Sequence, residues 1–529
     1  MQLDFQKIID ISDTPAARRA QVNAVLDRAR WASQAFQRYD REMTLTIAEA
    51  VANAAYAKAA EYGEWAVRET GFGVAEHKTI KNQMTSRTLF EHYRAQDFVN
   101  PRIDGSRKIV EIPRPAGVIF ALTPSTNPIA TVYFKVIAAL LTRNAIVLSP
   151  HPAARECCTD AANMLAQAAE GAGAPSGAIQ VVSDPSIPLI EEFMRSEKTN
   201  VVLATGGNAM VRSAYSSSNP AIGVGPGNAP AFVDGTADLR KAARYLVESK
   251  SFDNSVLCTN ESVLITVQEN DGALRKELRQ AGAHVCSEQE TNALRNYLFH
   301  NRGFNVEAVG RDARWIAVQA GFKTAPKVSV LVTPITRVGF AEPLSKEKLC
   351  PVLGYYVASS VTQAITQARA LLRMAGAGHT AVIHSGDAAT AMDYAAAVET
   401  YRVVVNAPAS QGASGFATHL PPTFTIGTGY FGRSAIGDNI GPAHLIQWTR
   451  LAYNKDDSEA MGDYSGLGPR FSGPIPTAPA DGVPGSARRG ANATPIPRTA
   501  ARPMSAEEQS LRENIRRIIV EELRSALRK

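Results

Sequence analysis

The sequence predicts an α/β chain with two parallel-sheet units, followed by an irregular linker and a single helix. Three observations carry that prediction. Between Ala116 and Pro408, short apolar β-rich runs alternate with helical patterns, as in βαβ units whose sheet is covered on both faces. The 529 residues suffice for two or three domains, and 45% hydrophobic with 20% charged residues is ordinary globular composition. From Gly468 onward the texture turns to Pro, Gly, Ala and Arg, which bury too little apolar surface to offset ordering entropy.

The elements follow in order. The first ninety or so residues read as helices, because "AQVNAVLDRARWASQAFQRY" and "TLTIAEAVANAAYAKAAEYGEWAV" repeat apolar residues at three- and four-residue spacing. "RIDGSRKIVEIPRP" reads as a hairpin turning at Asp104-Gly105. "AGVIFAL", "NAIVLSP", "AIQVVS" and "NVVLATGG" supply a first set of strands, with helices such as "AARECCTDAANMLAQAAEG" between them. "APAFVD", "ESVLITV", "KVSVLVTP", "VLGYYVASS", "TAVIHSG" and "RVVVNAP" supply a second. After the linker, Ser505 and Glu508 have the spacing of a capping box, which predicts a helix start. Leu511, Ile515, Ile518, Ile519, Leu523, Ala526 and Leu527 then share one helix face, which needs a partner surface.

Charge and cysteine usage narrow the function classes. The net charge is +6, but the stretch from Arg470 carries eleven basic and six acidic residues, leaving the body near +1. A basic nucleic-acid face on the globular part is therefore not expected. The start lacks a signal-peptide pattern, and runs such as "VIAALL" are too short to span a bilayer. Five cysteines (Cys157, Cys158, Cys258, Cys286, Cys350) include no CxxC pair, which argues against disulfides or zinc and for a reduced, cytoplasmic compartment. Cys258 stands apart from the other four. It lies between a helical pattern ending at Lys250 and the run "SVLITV", among polar Asn254, Ser255, Thr259 and Asn260. A core-filling cysteine usually has apolar neighbours.

Read with "TPSTNP", "ATGG", "FDN…C" and "NAPASQGASG", the sequence from roughly Val25 to Arg450 resembles the aldehyde dehydrogenase superfamily in its CoA-acylating branch. The resemblance implies an aldehyde dehydrogenase-like fold, with a Rossmann-type dinucleotide-binding domain and an α/β catalytic domain. It makes Cys258 the nucleophile and Asn127 the oxyanion-hole donor. Thr205, Gly206 and Gly207 would hold the pyrophosphate, Ser149 and His151 the adenosine ribose, and Glu347 the nicotinamide ribose. Ala154 stands where hydrolytic members commonly carry an acid, with Arg155 beside it, so NAD is favoured over NADP only moderately.

Val224, in "VGPGNAP", stands where hydrolytic members carry a glutamate base. Valine cannot activate water, whereas a thiol ionises readily, so coenzyme A is the expected acyl acceptor. His379 matches a histidine of the acylating branch and could take the CoA thiol proton. The other readings are a hydrolytic NAD-dependent dehydrogenase with another base, and a non-enzymatic scaffold. No metal is expected.

The expected division is 1–229 for the helical N-terminus and NAD-binding domain and 230–425 for the catalytic domain. Residues 426–468 would form a C-terminal return and oligomerisation segment of a homodimer or homotetramer. Residues 469–503 would be linker and 504–529 an amphipathic helix. Such a tail resembles the encapsulation peptides of bacterial-microcompartment cargo, which dock on shell protein or co-cargo. A membrane-surface helix and an oligomerisation handle are the alternatives.

Overall fold

The computed structural model describes residues 14–300, 303–456 and 458–468. The expected linker (469–503) and terminal helix (504–529) lie outside the described residues.

Helices come first, at Pro15–Phe36, Arg41–Ala57, Ala59–Thr70 and Ala75–Gln83. Thr14 and Asp40 cap the first two, accepting from the amides of Ala17 (3.2 Å) and Met43 (2.8 Å). The second helical pattern is broken at Lys58, which leaves helical geometry at φ −100°, ψ 7°. Neither Gly nor Pro marks that break.

Strands β1 (Arg102–Asp104) and β2 (Ile109–Pro115) pair antiparallel, with Asp104 opposite Ile109. The connection is therefore a four-residue loop over 105–108 rather than a two-residue Asp104-Gly105 turn. Asp104 closes it by accepting from Ser106 Oγ (2.7 Å) and the Arg107 amide (3.0 Å).

The first parallel sheet contains β3 (Val118–Thr123), β4 (Ala145–Pro150), β5 (Ile179–Val181), β6 (Val201–Thr205) and β7 (Ala221–Val224). Their order is β5-β4-β3-β6-β7. The order reverses between β3 and β6, which opens a ligand crevice at their carboxyl ends. Lys135, fully buried on the helix Pro128–Leu141, ties those two strands together there. Its ammonium donates to the carbonyls of Leu122 (2.6 Å) and Leu203 (2.8 Å).

The second parallel sheet is formed by β8 (Ala229–Val233), β9 (Glu261–Val267) and β10 (Ala283–Val285), then, after the small β11 (Phe299–His300)/β12 (Gly303–Phe304) ladder, by β13 (Val330–Pro334), β14 (Val352–Ala358), β15 (Ala381–His384) and β16 (Val403–Val405). Its order is β10-β13-β14-β9-β8-β15-β16. Finally β17 (Ile446–Ala452) returns to pair antiparallel with β2.

Strands β3, β4, β8 and β9 are buried along their whole length, as parallel strands covered on both faces must be. Alternate residues feed different cores. Ile119 and Ala121 pack on one face of β3, Val118 and Phe120 on the other. Val263 and Ile265 of β9 likewise oppose Leu264. No helix among the described residues is long and apolar enough to cross a membrane.

Candidate active site

A cavity of about 1470 Å³ opens at the carboxyl ends of β3, β4, β6 and β7, and the loop bearing Cys258 closes one side of it. All the site residues expected from sequence line it, except His379, which lies buried behind Cys258. Cys258 keeps part of its surface accessible; the other four cysteines are buried.

The nucleophile loop is backbone-strained and clamped. Asp253, Asn254 and Ser255 all take positive φ (51°, 49° and 64°). Left-handed backbone at non-glycine residues costs about 1–3 kcal/mol each, so the surroundings must over-determine it. Phe252 stacks on His77 with ring centroids 4.7 Å apart, and His77 Nδ1 accepts from the Asp253 amide (2.8 Å). Asn254 donates to the Gly310 carbonyl (2.9 Å), and Asn260 to that of Ser249 (2.9 Å). The Asp253 carboxylate, itself buried, accepts from the Val74 amide (2.7 Å), Lys78 Nζ (3.1 Å) and Lys81 Nζ. Gly73 admits it: a Cβ there would lie 2.1 Å from Asp253 Oδ1.

His379 Nε2 lies 3.2 Å from Cys258 Sγ, and its Nδ1 lies 2.9 Å from Thr380 Oγ1. Although Cys258 reaches the cavity, its thiol is enclosed on most sides. Burial and the nearby Glu347 push it up to about 12. Burial and the Arg402 guanidinium push His379 down to about 3. Arg402 also fixes that histidine's backbone, donating to the carbonyls of His379 and Gly378. Both shifts favour a neutral thiol beside a neutral imidazole, an arrangement in which the thiol donates to Nε2 and the ring proton sits on Nδ1 toward Thr380. The thiolate fraction must then climb with pH. Alkylation of Cys258 by iodoacetamide is expected to accelerate continuously between about pH 6 and 9. A rate plateau reaching below about pH 7 would instead mean a preformed thiolate–imidazolium pair.

Residues 8–419 match the aldehyde dehydrogenase family model. The chain is 35% identical over 439 residues to the bifunctional aldehyde-alcohol dehydrogenase of Escherichia coli, covering 82% of this chain and 49% of that one. The chain belongs to the aldehyde dehydrogenase family. It spans about half the length of that bifunctional relative. An acetylating aldehyde dehydrogenase from Geobacillus thermoglucosidasius is 35% identical, with a TM-score of 0.82 over 84% of this chain and 98% of that one. A propionaldehyde dehydrogenase from Rhodopseudomonas palustris, solved with bound CoA and an acylated cysteine, is 26% identical, with a TM-score of 0.74 over 82% and 97%.

The cavity fits a dinucleotide on several counts. Ser149 Oγ is buried without a protein hydrogen-bond partner. A Cβ would meet nothing within 4 Å at Gly207, the N-cap of the helix Asn208–Tyr215, so the backbone there is open to close approach. His151 accepts from the Ala153 amide (3.1 Å), and burial pushes it down to about 4, so the ring is neutral. Glu69, which the sequence did not single out, accepts from the amides of Glu156 and Cys157 (both 2.8 Å), where the helix after β4 begins. Arg155 pairs with Asp184 (3.0 Å).

Asn127 occupies the N-cap position of the helix Pro128–Leu141, with no capping hydrogen bond from its side chain. Its amide nitrogen donates to the Val256 carbonyl (3.1 Å) and to Thr126 Oγ1 (3.2 Å), and its oxygen accepts from Lys81 Nζ. Glu347 accepts from the Gly227 amide (3.0 Å), and burial pushes its carboxyl up to about 8. Gly227 is required there, since a Cβ would lie 2.0 Å from the Cys258 carbonyl oxygen. Val224 ends β7 on the cavity wall. Away from these residues, His284, Cys286 and Glu290 offer metal-ligand atoms within 4.8 Å of one another. Glu290 is already engaged there, closing a capping box with Ser287 and pairing with His284 Nε2 at 3.1 Å.

Proposed function

We propose that this chain is a CoA-acylating aldehyde dehydrogenase, which oxidises a short aliphatic aldehyde of the acetaldehyde or propionaldehyde class to its acyl-CoA. The observation that carries the reading is Cys258 Sγ, 3.2 Å from His379 Nε2, in a cavity whose wall has Val224 in place of a water-activating carboxylate.

His379 Nε2 accepts the thiol proton as Sγ bonds to the aldehyde carbon. The oxygen that becomes negative is held by Asn127 Nδ2, which exchanges a neutral acceptor for the anion, and by the Cys258 amide. Ser149, His151, Thr205, Gly206, Gly207 and Glu347 would hold NAD, which would supply the hydride acceptor needed for a Cys258 thioester. Once the Cys258 thiol proton has passed to solvent, His379 takes the CoA thiol proton as CoA sulfur attacks the acyl carbon, and returns it to the departing Cys258 sulfur. Aldehyde, CoA and NAD thus give acyl-CoA, NADH and one proton. The carboxylate of Glu69 at the helix terminus after β4, and the engagement of Arg155 by Asp184, favour a ribose without a 2′-phosphate.

Product analysis tests the reading. Propanal and NAD with CoA are expected to yield propionyl-CoA, and sustained free propionate without CoA would favour the hydrolytic alternative. Val224→Glu is expected to raise free acid relative to acyl-CoA. No change in that ratio would remove the reason offered for CoA dependence.

We further propose that residues 504–529 make the enzyme microcompartment cargo, on the strength of the apolar stripe from Leu511 to Leu527. Deleting Pro503 to Lys529 should leave turnover nearly unchanged and abolish co-purification with shells. Truncation that destroyed catalysis would show instead that the helix serves its own enzyme.

A further inference from the structure

Lys78 and Lys81 are both buried, at 3% and 2% exposure, and both ammonium groups reach one carboxylate oxygen of the fully buried Asp253. One cation neutralises that carboxylate. The second is surplus charge, and burying it is costly unless it is bonded elsewhere. Lys78 spends its remaining contact on structure, donating to the Thr126 carbonyl (3.0 Å). Lys81 instead donates to Asn127 Oδ1.

We propose that Lys81 is a positioning residue for the reaction: it fixes and polarises the Asn127 amide as the oxyanion donor and ties it to the nucleophile loop through Asp253. The proposal rests on the acylating reading above. Two physical consequences follow from the contact. Burial pulls Lys81 down to about 7 against the raising pull of Asp253; in its protonated form it only donates, so the atom facing it is the amide oxygen. That leaves the NH₂ group no alternative to facing the Val256 carbonyl and Thr126 Oγ1, on the side of the Cys258 loop. A cation on the amide oxygen also withdraws electrons from Nδ2 and strengthens its N–H bonds as donors. Asp253 lies five residues before Cys258, so one ammonium group links the oxyanion donor to the loop that presents the sulfur, a loop that the Val74 amide and Lys78 also hold through Asp253.

The test is a double-mutant cycle in the full chain with propanal, NAD and CoA. Lys81→Met is expected to lower kcat about 10–100-fold with KM for NAD nearly unchanged. Adding Asn127→Ala to it should cost less than about threefold more, because the donor is already misplaced. In Lys78→Met, by contrast, Asn127→Ala should keep its full penalty. Iodoacetamide alkylation of Cys258 develops no oxyanion, so Lys81→Met should leave that rate within about threefold. If Lys81→Met does not fold, the cycle is run on Lys81→Gln, which also lacks the cation, with the same non-additivity expected. Multiplicative losses, or a kcat unchanged in a folded Lys81 variant, would overturn the proposal. An error in the acylating reading looks different: wild-type protein then gives no CoA-dependent turnover at all.

Discussion

Cys258→Ala abolishes NADH formation from aldehyde and the reverse reduction of acyl-CoA, leaving less than a few per cent of either. That is the largest effect the site geometry predicts. Without Sγ no covalent adduct forms, and no neighbouring thiol can replace it, since the other four cysteines are buried. The variant should still fold. The loop is held by Asp253, Asn254 and Asn260 rather than by the sulfur, and Cys258 sits on a cavity wall where lost atoms leave open space. Circular dichroism and the thermal midpoint check this second half. Turnover well above a few per cent in a folded variant would mean that the thioester forms elsewhere or not at all.

Asn127→Ala should lower kcat by about 10²–10³-fold while KM for NAD changes little. The amide acts on a charge present mainly in the transition state, so its loss falls on turnover rather than on binding. Both amide hydrogens are engaged by neutral acceptors, the Val256 carbonyl and Thr126 Oγ1, and an oxyanion is the stronger acceptor. Removing the side chain also leaves the Lys81 ammonium facing no oxygen at that position, so some loss of thermal stability should accompany the kinetic one. If affinity for NAD collapsed while kcat at saturation stayed normal, Asn127 would be a cofactor residue.

Much of this was legible in the sequence. Runs such as "AGVIFAL" and "ESVLITV" became fully buried parallel strands because both faces of those sheets are covered. Cys258, Asn127, Glu347 and the Thr205-Gly206-Gly207 turn, far apart in the chain, line one cavity. What escaped depends on tertiary burial. Lys78 and Lys81, three apart in "HKTIKNQ", look like an ordinary solvated helix face until Asp253 is placed against them. Arg402 sits in a run that reads only as a strand, yet it clamps the backbone at His379. Glu69 lies in the last turn of a helix far in sequence from the helix start after β4 whose amides it binds. The helix break at Lys58 and the four-residue loop after Asp104 carry no composition signal of their own. Strand β17 follows no βαβ pattern, because it belongs to a separate antiparallel sheet.

The central claim is that an acyl group waits on Cys258 until a thiol, not water, removes it. The direct measurement mixes enzyme, NAD and propanal without CoA, follows NADH in the first turnover, and identifies the modified residue by mass spectrometry. A burst of about one NADH per active site is expected, with a propionyl group on Cys258 that is released as propionyl-CoA when CoA is added. Steady NADH formation and accumulating propionate in the absence of CoA, with Cys258 unmodified, would contradict it.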